Sequence, residues 1–234
     1  MNDLSATFPI WVDDELRLLC QLADLRGREI LDVGCGAARM TGRIAGLARR
    51  VVGIEVDEAQ MAKNRARQWP AGLSFERCGA EAMPFADASF DGVTLFKSLH
   101  HIPAPVMDQA FSELQRVLRS GGWVFISEPV YAGPFNEIVR LFHDEGAVRQ
   151  QTLQATQRAI ESGGFRLARR QEFLTPVSFR DFDDFRQRMM QPTHIELTVA
   201  PALQASVRRA YEAHQSAGGA HFIRPMRADL LCKA

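Results

Sequence analysis

With 234 residues, 46% of them hydrophobic and 24% charged, the chain is long enough for a full α/β core and has an ordinary globular composition. Its 28 Lys and Arg balance 28 Asp and Glu, so there is no global basic field to gather nucleic acid or an anionic membrane. Cys20, Cys35, Cys78 and Cys232 have no CxxC or metal-ligand spacing, and no apolar run reaches the roughly 18 residues a bilayer span needs. Met1 to Phe8 lacks the basic and apolar regions of a signal peptide. The expectation is a cytoplasmic protein with free thiols, no metal site and no membrane span.

In chain order, Val12, Leu16, Leu19, Leu22 and Leu25 recur at helical spacing, so Trp11 to Leu25 is predicted as an amphipathic helix behind Phe8 to Trp11. Ile30 to Val33 is a short apolar run between glycines and predicts a buried strand. Gly34-Cys35-Gly36 then allows a tight turn and close approach to a ligand, and Ala37 to Ala48 predicts the helix after it. Asp32 sits two residues before the first glycine. A carboxylate there disfavours a pyrophosphate and favours a ligand bearing an ammonium group. Arg39 stands where the dinucleotide fingerprint needs its third glycine. Val51 to Ile54 predicts a second strand whose end, Glu55, lies nineteen residues past Gly36, where doubly wound folds hold ribose hydroxyls.

The Asp-x-Gly-x-Gly form of residues 32–36, with Ala38 for the usual third small glycine, resembles the first motif of the class I S-adenosylmethionine-dependent methyltransferases. The similarity is to the type 11, small-molecule branch that includes ubiquinone and menaquinone biosynthesis methyltransferases. It implies a Rossmann-like, doubly wound α/β fold: a seven-stranded sheet, mostly parallel with an antiparallel last strand, helices on both faces and a helical cap. It also implies S-adenosylmethionine as cofactor, with Asp32, Gly34, Cys35 and Gly36 forming the turn, Glu55 the ribose clamp, and Val56 and Met61 near the adenine. Asp57 suits the N-cap of the next helix. Leu73 to Cys78 predicts the third strand. Gly79-Ala80-Glu81-Ala82-Met83-Pro84-Phe85 resembles the family's adenine loop, but Gly79 replaces its usual Asp, so Glu81 and the Ala80 N–H become the adenine candidates.

Ser89 to Phe96 predicts the fourth strand, and Phe96, Lys97 and the Ser98-to-Pro103 loop leave its carboxyl end, where open sheets bind ligands. Pro105 to Leu118 predicts a helix, Arg119 to Gly122 its stop, and Trp123 to Ser127 strand five, closed by Glu128. His100, His101, Glu128 and His143 are the candidate bases. Residues 132–150 and 181–218 are expected as cap insertions in a single domain spanning 1–234. In the first, Phe135, Ile138, Val139 and Phe142 form one stripe, with Asn136, Arg140 and His143 opposite. Arg186, Arg188, Met189, Met190 and His194 are further cap candidates. Thr152 to Glu161, Asp181 to Met190 and Pro201 to Gly218 predict helices; Phe165 to Thr175 and Ala228 to Cys232 predict strands.

Lys97-Ser98-Leu99-His100 occupies the place of an amino-methylating Asn-Pro-Pro-Tyr motif. The resemblance therefore implies methyl transfer to a small-molecule O, N or C nucleophile rather than to nucleic acid. A non-methyl reaction of the same cofactor, such as one related to tRNA modification, and a non-catalytic cofactor-binding subunit are the alternatives. The oligomeric state stays open.

Overall fold

A computed structural model describes residues 10–191 and 199–234, so Phe8 and His194 lie outside the described residues. Contacts divide the chain into two compact units. One is Asp14–Glu128, Gln150–Gln171 and Arg227–Ala234; the other is the described part of Met1–Asp13 with Pro129–Arg149 and Glu172–Met226. Strands are β1 (Glu29–Val33), β2 (Arg50–Ile54), β3 (Leu73–Glu76), β4 (Phe90–Phe96), β5 (Leu118–Pro129), β6 (Phe165–Phe179), β7 (Gln215–Ser216) and β8 (Gly219–Lys233).

The sheet order is β3-β2-β1-β4-β5-β8-β6, with β7 paired only to β8. β1 to β5 run parallel and the C-terminal strand antiparallel, the doubly wound order expected from the sequence. Buried on both faces, β1, β2 and β4 have near-continuous apolar sequences. In the register that matters for the site, Asp32 lies beside Gly53 on one side and Thr94 on the other.

Helices of the first unit include α1 (Glu15–Leu22), α2 (Arg39–Ala45), α3 (Glu58–Arg65) and α4 (Met107–Val117). Specific groups set where the first three of them begin. Asp14 caps α1 by accepting the Leu16 N–H at 3.0 Å, and Ala38 blocks α2 from starting earlier because its φ is +55°. Asp57 caps α3 as expected, accepting the Gln60 N–H at 3.1 Å. Two elements differ in kind. Residues 119–122 are no stop signal but an irregularity within β5, where pairing moves from Phe90–Leu118 to Gly92–Trp123. β6 continues past Pro176, since a strand at the end of the sheet order tolerates the missing N–H.

The second unit is organised by aromatic side chains. It contains α5 (Pro134–Val139), and α6 (Gly146–Glu161) starts within it and ends in the first. α7 (Phe182–Phe185) runs on as a π-turn over Arg186–Met190, and α8 (Pro201–Glu212) gives way to the β7–β8 hairpin rather than reaching Gly218. Phe135, Phe179, Phe182, Phe185, Tyr211 and Phe222 form its core with Ile138, Val139 and Val207. The stripe on α5 is thus consumed in this core. Asn136, expected on the opposite polar side, is buried and accepts the Arg149 guanidinium at 3.0 Å. No helix among the described residues is long and apolar enough to cross a membrane.

Candidate active site

The carboxyl ends of β1, β2, β4 and β5 carry nearly every residue singled out in the sequence, all within the first unit. At the exit of β1 the chain must reverse sharply. Gly34 has φ +66°, and a Cβ on it would stand 2.6 Å from Ser98 Cβ, so this position admits no side chain. Gly36 has φ +51°, and a Cβ there would meet nothing within 4 Å; its face of the turn is open. Backbone bonds close the turn, from Cys35 N–H to Ile54 O and from Ala38 N–H to Cys35 O, both 2.9 Å. Asn64, fully buried on α3, donates to Gly36 O at 2.7 Å. Cys35 packs its sulfur toward Gly53, and burial, then Asp32 and Glu55, push its thiol pKa well up. It is a wall and no nucleophile.

Asp32 is 3% exposed, and both oxygens are engaged: Oδ2 accepts the Thr41 hydroxyl at 2.6 Å and Oδ1 the Thr94 hydroxyl at 2.8 Å. Each oxygen thus accepts one hydroxyl, from α2 and from β4, which fixes the carboxylate's orientation at the end of β1. Burial pushes its pKa up to about 6 against the pull of those two hydrogen bonds.

Glu55 is held by backbone alone. Oε2 accepts the Gly36 N–H at 2.9 Å, while Oε1 accepts Val56 N–H at 2.8 Å and Asp57 N–H at 3.1 Å. The carboxylate is therefore fixed beside the glycine turn in one orientation. Val56 is 63% exposed next to it, whereas Met61 is buried in α3 and faces no open surface. Asp57 Oδ2 is buried without a hydrogen-bond partner among the described residues, an acceptor left over at the same strand exit.

In the loop after β3, Ala80 is buried and Glu81 half-buried. A Cβ on Gly79 would collide with both carboxylate oxygens of Glu81. The Glu81 carboxylate thus fills the space that a side chain at 79 would need.

Phe96 ends β4, and Lys97 follows with φ +56°, a left-handed turn rare for a residue with a side chain. Its N–H donates to Ser127 O at 2.7 Å, and its ammonium pairs with Glu15. Ser98 then donates to Val33 O at 2.6 Å, locking the β4 exit to the β1 exit. Beyond it, His100 Nδ1 meets Glu128 Oε2, and Glu128 Oε1 accepts the Leu99 N–H at 2.9 Å. Both side chains are at least nine-tenths buried, and the His100 ring lies 4.1 Å from that of His101, tilted by 45°. Behind Glu128, Arg227 binds Asp229 at 3.0 Å, and Arg170 binds the same carboxylate at 2.6 Å. A carboxylate on Nδ1 makes that nitrogen the protonated one, so Nε2 becomes the basic atom. His143 belongs to the second unit, 3.1 Å from Glu145.

Sequence reasoning missed Glu15, Asn64, Ser127, Thr41 and Thr94. A lone polar residue inside a helix or strand carries no local signal of the partner it meets across the fold.

Residues 31–126 match a family model described as a methyltransferase domain. Over 121 residues the chain is 36% identical to the O-methyltransferase cnsE of Penicillium expansum, covering 49% of this chain and 42% of that protein. A ubiquinone biosynthesis O-methyltransferase of Thiobacillus denitrificans is 32% identical over 120 residues, 50% of this chain and 48% of that one. The chain spans about half the length, or less, of the curated relatives it matches. Among solved structures, the YcgJ protein of Bacillus subtilis aligns with a TM-score of 0.65 at 17% identity, over 93% of this chain and 97% of that one. The [4+2]-cyclase SpnF aligns at 0.62 and 21% identity, over 96% and 86%. At these identities the structural likeness is one of fold.

Proposed function

We propose that this chain is a class I S-adenosylmethionine-dependent methyltransferase that moves a methyl group from that cofactor to a small-molecule O, N or C nucleophile, a reading supported by the match of residues 31–126 to a methyltransferase domain. The observation that carries the reading is Glu55, a carboxylate fixed by three backbone N–H groups beside the open face of Gly36. The donor set fits the cofactor. Glu55 and the spare Asp57 oxygen are acceptors for ribose hydroxyls, and Glu81 stands where residue 79 would otherwise present the acceptor for the adenine amine. Gly34, Cys35, Gly36, Val56, Ala80, Phe96 and Lys97 would wall it. Asp32 contributes a buried negative charge behind the turn.

When bound, S-adenosylmethionine supplies an electrophilic methyl on a sulfonium leaving group. The protein's main task is then to align the nucleophile about 3–3.5 Å from that carbon. For an acceptor that must lose a proton, His100 Nε2 is the base, with Glu128 holding the tautomer and stabilising the imidazolium that forms. His143 is left to acceptor contacts within the second unit. Segments 132–150 and 181–218, outside the matched residues, are assigned to acceptor selection in a single methyltransferase domain. The even charge balance supports a small acceptor over nucleic acid, and the four free cysteines support a reducing cytoplasm.

Formation of S-adenosylhomocysteine across a panel of phenols, amines and carbon acids tests the activity. Calorimetric titration tests the site: Glu55→Ala should weaken cofactor binding tenfold or more, about 1.4 kcal/mol. Unchanged affinity in that variant would remove the observation on which the reading stands.

A further inference from the structure

Four charged side chains converge where β1, β2, β4 and β5 end: Asp32, Glu55, Lys97 and, from the preceding helix α1, Glu15. Glu15 is 9% exposed with both oxygens in use. Oε1 takes the Lys97 ammonium, and Oε2 accepts the Ser127 hydroxyl at 2.6 Å. With Glu15 buried and Lys97 half-buried, the pair is weak evidence for stability. Its location has another consequence. The Lys97 ammonium and the Glu55 carboxylate are both near enough to Asp32 to act on its ionisation, so these groups share one electrostatic neighbourhood.

We propose that Glu15 is a specificity-setting residue: by cancelling the Lys97 charge it keeps the strand exits more strongly negative, so that a cationic sulfonium nucleoside is held in preference to its neutral thioether product. The inference rests on the cofactor reading above. Near pH 7.5 three carboxylates face one ammonium. S-adenosylmethionine carries a sulfonium, an ammonium and a carboxylate, net +1; S-adenosylhomocysteine has lost the sulfonium charge and is neutral overall. The two ligands share every hydrogen-bonding group, so a difference between them reads the local field. With Lys97 uncompensated, the local charge falls from −2 to −1, so the field holds the substrate form less strongly and leaves the product form nearly untouched.

The test is calorimetric titration of the intact chain with both nucleosides at pH 7.5 and low salt. Glu15→Gln keeps size and the capacity to accept from Ser127, and should lower S-adenosylmethionine affinity about three- to tenfold while moving S-adenosylhomocysteine less than twofold. Lys97→Met should shift the ratio the other way, and Glu15→Gln/Lys97→Met should bring it back toward the wild-type value. Equal losses for both ligands in Glu15→Gln, or no opposite shift in Lys97→Met, would reduce Glu15 to a packing role and overturn the proposal. Should Glu15→Gln fail to fold, the Lys97→Met arm decides alone. Wild-type protein that binds neither nucleoside overturns the cofactor reading itself, an outcome distinct from an unmoved ratio.

Discussion

The strand exits of the first unit and the aromatic core of the second are built on opposite principles. In the second, six aromatic side chains pack in edge-to-face, tilted and stacked pairs at 5–6.5 Å, and Phe185 meets Phe142, Phe179, Phe182 and Tyr211. There burial and stability coincide. At the strand exits the chain buries Asp32, ties buried Glu15 to the half-buried Lys97 ammonium, and holds Ala38 and Lys97 at positive φ. Each of those features lowers stability relative to a simpler alternative, and strain of this kind gathers at functional sites. The contrast says which unit evolved around a ligand and which around its own cohesion, and it is open to direct attack from both sides.

The largest effect should come from the second unit. Phe185 is fully buried, and Phe185→Ala leaves a cavity among four rings, so it should lower unfolding free energy by about 3–5 kcal/mol. Chemical denaturation followed by circular dichroism measures this. If the two regions divide as described, cofactor affinity at a temperature where the variant remains folded should stay within twofold of wild type. A tenfold loss would mean that the aromatic core also shapes the binding residues.

The same operation at Asp32 should have the opposite sign. Its folded pKa of about 6 lies above the ordinary aspartate value of about 3.8, so the native state binds more protons than the unfolded chain between those values. Stability therefore falls as pH rises from about 4 to 6, and the charged form is disfavoured at neutral pH by about 3 kcal/mol. Asp32→Asn should recover up to that amount at pH 7, flatten the pH slope in that window, and weaken cofactor binding, because the negative charge behind the turn is gone. Glu55 raises this pKa and Lys97 lowers it, so both must be intact for the slope to be read as that of Asp32. A variant with lower stability at pH 7 and unchanged affinity would reverse the argument and make Asp32 a structural residue.

What was legible in the sequence divides along the same line. The β1 turn, Glu55 at its strand end and the Asp57 cap are readable because they depend on neighbours in sequence, glycine next to strand and acid at strand end, whereas the parallel sheet followed from the family resemblance. Even the departure at Gly79 pointed to Glu81, two residues on. Asp32 was found but its partners were not, since Thr41 and Thr94 lie 9 and 62 residues away. Glu15 read as an ordinary acid in a helix's first turn, because nothing local announces Lys97, 82 residues later. The second unit was hardest. Its core is drawn from residues 135–139, 177–190 and 207–222, and each piece alone resembles a surface helix or a strand end. The hairpin at Gln215–Ser216 was masked by the helical period before it.

The smallest effect tests the comparison most finely. Ala38 stands where the family resemblance expects a third glycine, and its backbone is left-handed, φ +55° and ψ +26°, with the side chain fully buried. A Cβ in that region crowds the following carbonyl by roughly 1–2 kcal/mol, partly offset because glycine loses more backbone freedom on folding. Ala38→Gly should therefore stabilise the protein by up to about 1 kcal/mol, seen as a small rise in denaturation midpoint. Yet the strain occupies the turn that holds Gly36 against Glu55, through Cys35 O accepting the Ala38 N–H. A glycine there frees the turn in the unliganded chain, so affinity should fall slightly, within threefold, as stability rises. Parallel movement of both quantities would show that the left-handed alanine is ordinary wear in the sequence and not part of how the turn is kept ready.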